Sequence, residues 1–367
     1  MRDFILKAKI FLSLFDVAVS GDFILGPHVR KFEERFKDYV GVKYALGVAN
    51  GTDALILALK ACSIGPGDEV LVPAFGFVST AAAVAWINAK PVFVDVSRSD
   101  FNIDVSKIER AISEKTKAII PVHLNGRPAD MDAVMAIAKR HGLFVIVDAA
   151  HAIGSKYKGK SVAGYGDVVC FSFNPTKLLG GYGDGGAIVT DNSALAEKVS
   201  LMRMYGAPDW NEIHFNNKII GVASRLDSFQ ASVLDKKLDY IDSWIEKRRE
   251  NLRIYRESLK GVGCIYFSKE DKDCFENGYR FLINTPKRDE LKNFLCNKRG
   301  LSVHPYYPIP LPYLPAFSYL RYKRGDFSEA EKIANEALVL PTNHILSKTE
   351  IIRIANLVKI FFATSGI

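Results

Sequence analysis

Apolar positions along the chain follow two rhythms. Uninterrupted apolar runs, three to six residues long, alternate with stretches in which apolar residues return every third or fourth position. The runs are Tyr44–Val48, Glu69–Val72, Pro91–Val94, Ala118–Val122, Leu143–Val147, Val168–Phe173 and Ala187–Val189, and they predict seven strands. Between and before them, the steps Val29, Phe32, Phe36 and Tyr39 predict a helix, and Leu55–Ala61, Ser79–Asn88, Asp104–Ile112 and Met131–His141 predict four more. Strands alternating with helices in this way make an α/β fold: a seven-stranded, mostly parallel sheet with helices on both faces. Leu143–Val147 shows no polar alternation, the pattern of a strand covered on both sides.

At the N-terminus, Met1 to Gly21 begins like a signal peptide, with Lys7 and Lys9 before an apolar run. Asp16 cuts that run short, and Ile10, Leu14 and Val17 or Ala18 recur at helical spacing, so an amphipathic docking helix is expected. Beyond Asp191 the rhythm is helical from Ala194 to Met204 and from Leu226 to about Leu259. Shorter elements follow, among them a strand at Arg280–Ile283 and helices at Asp289–Lys298, Ser328–Ala337 and Lys348–Phe361. At 367 residues the chain suits two units, and the division falls inside the long helical region: 1–243 as a large domain, 244–367 as a smaller C-terminal α/β domain.

Composition narrows the class. Apolar residues are 48% and charged residues 25%, and no apolar stretch is long enough for a membrane span. The five cysteines are odd in number and widely spaced, which suggests neither a disulfide framework nor a metal site and fits the cytoplasm. The net charge of +8 is dispersed and does not argue for nucleic acid; an anionic small substrate explains it equally well.

The chemistry gathers at the ends of the runs. Val168–Phe173 leads through Asn174-Pro175-Thr176 to Lys177, a single amine on a proline-stiffened turn. Gly51-Thr52 opens a helix straight after a strand, with Thr52 where an N-cap belongs; this reads either as a plain capped helix or as a phosphate-binding start. Phe75 and Phe77 leave the second strand, each a core residue or a face for a planar ligand. Leu143–Val147 ends in Asp148-Ala149-Ala150-His151: the aspartate at a strand's carboxyl end calls for a cationic partner, and the histidine is structural or ligand-facing. Gly181-Tyr182-Gly183-Asp184-Gly185-Gly186 matches the dinucleotide pattern GxGxxG, but a turn precedes it and a strand follows, so the context rejects that reading. HExxH and GxSxG motifs are absent from the sequence. A phosphate-ready helix start, an aromatic, a strand-end carboxylate and a positioned amine are together what pyridoxal 5′-phosphate needs for its phosphate, ring, pyridine nitrogen and aldehyde.

From Phe23 to Pro341 the chain also resembles the sugar-nucleotide aminotransferases of the DegT/DnrJ/StrS type, which have the type I pyridoxal-phosphate fold. The resemblance is carried by Leu25-Gly26-Pro27, Asn50 to Leu55, Gly65 to Val70, Pro121-Val122-His123-Leu124, Pro128 to Met131, Asp148 to His151 and Phe171 to Lys177. It implies that Lys177 is the Schiff-base lysine and that Asp148 pairs with the pyridine nitrogen. His151 would stand where relatives often have glutamine, at the ring hydroxyl; Ser172 and the Gly51 and Thr52 amides would hold the phosphate, and Phe77 would stack on the ring. It further implies a homodimer with active sites at the interface, Arg225 reaching the neighbouring cofactor. Ala223, where many relatives have asparagine, Asn125 in place of tyrosine, and Tyr306-Tyr307 in place of histidine-tyrosine depart from the pattern. The implied reaction moves an amino group from L-glutamate to a keto-sugar nucleotide, Lys177 carrying the proton. The glycine-rich loop resembles relatives acting on 3-keto sugars linked to dTDP or UDP more than the 4-keto branch. A sugar dehydratase on this scaffold would have histidine in place of Lys177, and a regulatory member that binds without turnover is the alternative from another class.

Overall fold

The apolar runs divide between two faces of one sheet. The computed structural model describes residues 2–268 and 270–364; Met1, at the start of the expected N-terminal helix, lies outside them. Helix α1 (Arg2–Ser20) is followed by the strands β1 (Tyr44–Val48), β2 (Glu69–Pro73), β3 (Lys90–Val94), β4 (Thr116–Ile119) and β5 (Phe144–Asp148). After the two-residue strands β6 (Lys156–Tyr157) and β7 (Lys160–Ser161) come β8 (Val168–Ser172) and β9 (Gly186–Thr190). The main sheet has seven strands in the order β1-β9-β8-β5-β4-β2-β3. Strand β9 runs antiparallel to both neighbours, and the other pairings are parallel.

Successive side chains of a strand point to opposite faces, which explains the unbroken apolar runs. Val70, Val72, Ile146, Val168 and Cys170 enter one core, while Leu71, Val145, Val147, Val169 and Phe171 enter the other. The second face is covered by α2 (Pro27–Val40), α5 (Met131–His141) and α7 (Ser228–Leu238); the first by α3 (Gly51–Ala61), α4 (Ser79–Trp86) and α6 (Ser193–Met202). Leu6 and Ile10 of α1 dock on Val233 of α7, and Val17 is buried while Ala18 is exposed.

In the C-terminal part, α8 (Ile241–Leu259), α9 (Arg288–Arg299) and α11 (Lys348–Thr364) enclose the antiparallel pair β11 (Phe281–Asn284) and β12 (Ala337–Leu340). The short β10 (Cys274–Phe275) extends β6. Helix α10 (Ser328–Glu336) instead packs Ala330, Ile333 and Ala334 into the first core of the large sheet, beside Phe317 and Phe327.

Three expectations need correction. The helix expected at Asp104–Ile112 is two separate 3-10 turns, Val105–Lys107 and Glu109–Ala111; the Asp104 carboxylate caps the first, taking both the N–H and the hydroxyl of Ser106, and Ile108 is buried with Val105, Ala111 and Ile112 packed around it. The fourth strand is Thr116–Ile119, and past Pro121, which has no N–H of its own, the pairing with β5 continues only as an isolated bridge at Val122–Asp148, the Asp148 N–H donating to the Pro121 carbonyl at 2.9 Å. The helical region 226–259 is broken at Asp239-Tyr240 into α7 and α8.

Because β1, β2, β3, β4, β5 and β8 run the same way, their carboxyl ends meet along one edge of the sheet. The N-terminal end of β9 lies on that edge as well. In an open α/β sheet this is where a ligand site is built.

Candidate active site

The edge encloses a cavity of about 330 Å³. Its lining includes Gly51, Thr52, Phe77, Asp148, His151, Ser172 and Lys177, seven of the eight residues singled out in the sequence. Arg225 does not line the cavity of its own chain; its guanidinium lies 5.6 Å from the ring centres of both Tyr205 and Trp210.

The start of α3 faces the end of β8. Asn50, and not Thr52, is the N-cap: its side-chain oxygen accepts the Asp53 N–H at 2.8 Å. The N–H groups of Gly51 and Thr52, first and second in the helix, have no intrahelical partner and are available to an anion. A Cβ on Gly51 would lie 2.7 Å from the Cβ of Ser172 and 3.1 Å from its Oγ, so only glycine lets the helix start approach the strand end this closely. The Thr52 and Ser79 hydroxyls meet at 2.8 Å, joining the starts of α3 and α4.

Asp148 is buried at the end of β5. One carboxylate oxygen accepts the Thr80 hydroxyl at 2.8 Å and the other the Ala150 N–H at 3.1 Å. Burial raises its pKa above the usual carboxylate range, against the two hydrogen bonds and the charge of Lys177. Lys177 is the opposite case: burial lowers its pKa to about 8, Asp148 opposes the shift, and the charge of Arg280 adds to it. An amine so depressed is partly neutral near physiological pH, as a nucleophile or proton carrier must be.

The turn that presents Lys177 is tied at both ends. The Lys177 N–H donates to the Asn174 carbonyl at 2.8 Å, and the Asn174 side chain donates to Asp184 at 3.0 Å. Across the glycine-rich loop, Gly181 N–H donates to the Phe173 carbonyl at 2.7 Å, and Gln230 of α7 accepts the N–H groups of Tyr182 and Gly183 at 2.7 and 2.8 Å. The loop runs into β9 and opens no helix, in keeping with the rejected dinucleotide reading.

His151 stacks on Tyr279, ring centres 4.6 Å apart, and its Nδ1 accepts the Asn125 N–H at 3.3 Å. Burial, with the charges of Lys177 and Arg280, holds its pKa well below the ordinary value. The ring is therefore neutral with its proton on Nε2, a donor. Phe75 is core, 1% exposed, whereas Phe77 is 54% exposed and stands at the cavity beside Tyr307, ring centres 6.2 Å apart. Sequence reasoning missed Thr80 and Arg280. Thr80 had only its place at the start of an alanine-rich helix to mark it, and Arg280 had no local signal at all.

These residues fit pyridoxal phosphate. Free helix-start donors face a glycine cradle, and a buried acid and a depressed amine share one cavity with an open aromatic face. Fold and site together define a type I pyridoxal-phosphate enzyme. The chain belongs to the DegT/DnrJ/EryC1/StrS aminotransferase family, whose model matches residues 5–359. It is 46% identical to a pleiotropic regulatory protein of Geobacillus stearothermophilus over 92% of this chain and 90% of that one. It is 37% identical to the dTDP-3-amino-3,4,6-trideoxy-alpha-D-glucose transaminase of Streptomyces venezuelae, covering 96% of this chain and 92% of the relative. Among solved structures it is similar to S. venezuelae DesV in complex with a ketimine intermediate, with a TM-score of 0.94 and 36% identity over 97% of this chain and 95% of that one.

Proposed function

We propose that this aminotransferase transfers an amino group from L-glutamate to a 3-keto-sugar nucleotide carrying dTDP or UDP, for amino-sugar biosynthesis in the cytoplasm. The Lys177–Asp148 pair in one cavity carries the reading, and a transaminase that forms a 3-amino sugar nucleotide, at 37% identity over nearly the whole chain, supports the substrate class. The bound cofactor supplies a carbonyl for the exchange of amines and a ring that stabilises negative charge on the substrate carbon. The chain's own residues do the rest. Gly51, Thr52 and Ser172 would hold the phosphate, Phe77 would cover the ring, and Asp148 would face the pyridine nitrogen with Thr80 fixing its orientation. His151, neutral, would donate from Nε2 to the ring hydroxyl. Lys177 would be the base that takes the proton from the donor's Cα and the acid that gives it back.

The same reading divides the chain into 1–243, which carries the cofactor residues, and 244–367, which closes over them with Arg280, Tyr306 and Tyr307. It also takes the active unit to be a homodimer, to which the exposed Trp210, Phe215, Ile220 and Val222 near Arg225 are suited. Among the described residues no helix is long and apolar enough to cross a membrane. A regulatory role without turnover finds no support in a site that keeps both the lysine and the acid.

The test is mass analysis of products after the cofactor-loaded protein is given L-glutamate with matched 3-keto and 4-keto sugar nucleotides. The expected product is the 3-amino sugar nucleotide with 2-oxoglutarate. Amination of the 4-keto substrate alone would reassign the substrate, and no amination of either would remove it.

A further inference from the structure

Arg280 is the residue of the cavity that the reading above leaves without a task. It precedes β11, lies between the buried Tyr279 and Phe281, and lines the cavity with Lys177. Its guanidinium lies over two rings, 3.8 Å from the centre of Tyr306 and 4.8 Å from that of Tyr279. Its Nη1 is enclosed and has no hydrogen-bond partner. No carboxylate among the described residues answers its charge. The two carboxylates of the lining are engaged elsewhere, Asp148 with Thr80 and Ala150, Asp184 with Asn174. An enclosed guanidinium donor without an acceptor is costly, and a fork of this shape matches a carboxylate.

Its position says which carboxylate. Lys177 Nζ lies 5.6 Å from the same Tyr279 ring centre, so the proton-moving amine and the guanidinium flank one ring. In an amino acid the α-carboxylate is one bond from the carbon that gives up the proton. In a sugar nucleotide the diphosphate is several bonds from the carbon that accepts nitrogen. A cation in the same cavity whose charge reaches Lys177 suits the first better than the second.

We propose that Arg280 binds the α-carboxylate of the amino donor and is a specificity-determining residue for the donor half of the reaction. This rests on the aminotransferase reading above. Contact with the Tyr306 and Tyr279 rings restrains the guanidinium, so that it would meet the donor already positioned and set the donor Cα toward Lys177.

The test uses the cofactor-loaded full chain and a set of ligands. Cofactor absorbance is titrated with L-glutamate, with L-isoglutamine, in which the α-carboxylate is an amide, and with L-glutamine, in which the side-chain carboxylate is. Calorimetry with α-methyl-L-glutamate, which has no Cα proton, reads binding without turnover. Wild type is expected to half-saturate with glutamate at a concentration about 30-fold below isoglutamine. Arg280→Gln should lose that preference to within about threefold and bind α-methyl-L-glutamate about 30-fold more weakly, with Arg280→Lys intermediate. Its preference for glutamate over glutamine and its cofactor affinity should change little. If Arg280→Gln keeps the glutamate–isoglutamine preference, loses the glutamate–glutamine one instead, or loses the cofactor, the assignment to the α-carboxylate is wrong while the aminotransferase reading stands. If wild type does not respond to glutamate, both fall.

Discussion

At the scale of single residues, the site works through displaced ionisation. Lys177 is an amine that burial has brought down to about 8, and in the cofactor-free protein this can be read directly. Below that value the folded chain carries a buried cation; between it and the ordinary lysine value the unfolded chain still holds a proton that the folded chain has released. Folding therefore gains stability from this residue as pH rises through that window, and below it the cost of the buried charge is complete. Lys177→Met should accordingly be more stable than wild type at pH 7, by a margin that shrinks as pH rises from 8 to 10. Urea midpoints of the two cofactor-free proteins across that range check it, and a margin constant with pH would show that Lys177 is not depressed. Such a residue was partly legible before the fold was known. Lys177, Asp148, His151 and Ser172 sit at the ends of apolar runs, where local sequence marks the edge of a sheet. Thr80 and Arg280 do not, since one acts on Asp148 from a different strand–helix connection and the other arrives from the far C-terminal part of the chain. Their meeting is decided by tertiary packing, which no local pattern records.

At the scale of elements, the junction of α3 with β8 is what would turn a capped helix into a phosphate site. The strands were legible because each apolar run supplies both faces of a covered sheet, and the seven expected runs are the seven strands of the main sheet. The ends of elements were less so. Pro121 reduces a ladder to a single bridge at Val122, Asp104 caps a 3-10 turn where the periodicity predicts an α-helix, and Asn50 takes the cap that Thr52 resembled. The Asn50 cap uses one donor of α3 and leaves those of Gly51 and Thr52 facing the cavity, while Gly51 sets the spacing to Ser172. Gly51→Ala would bring a methyl to 2.7 Å from the Ser172 Cβ, too close to persist, and the first turn of α3 must move off the strand. Cofactor affinity, followed by quenching of protein fluorescence, should fall about tenfold or more, with a loss of stability of about 1–3 kcal/mol. Affinity unchanged from wild type would mean that the helix start is not where the phosphate is held.

At the scale of the whole molecule, the cavity and Arg225 do not belong together within one chain. Its guanidinium rests over Tyr205 and Trp210, in a segment whose Phe215 and Ile220 are 76% and 96% exposed. Exposed large apolar side chains in the segment leading to this cation suit a covered surface better than a wet one, and a second copy of the chain would cover it while bringing Arg225 to the neighbouring site. The sequence could suggest this only through family likeness, since a monomer's periodicity contains no record of its partner. Complementation tests it without a structure of the assembly. On the proposed reading, Lys177→Ala would lack the proton carrier but keep Arg225, and Arg225→Ala would keep Lys177 but have nothing to lend. If each site draws Lys177 from one chain and Arg225 from the other, equal mixing and reassociation leaves about half of the dimers hybrid, each with one intact site. Activity should then recover to about one quarter of wild type from two nearly inactive parents. Recovery that tracks hybrid content, measured by separating tagged species, places Arg225 across the interface. If hybrids form and activity stays at the average of the parents, Arg225 serves its own chain or none, and the exposed segment has some purpose other than completing the site.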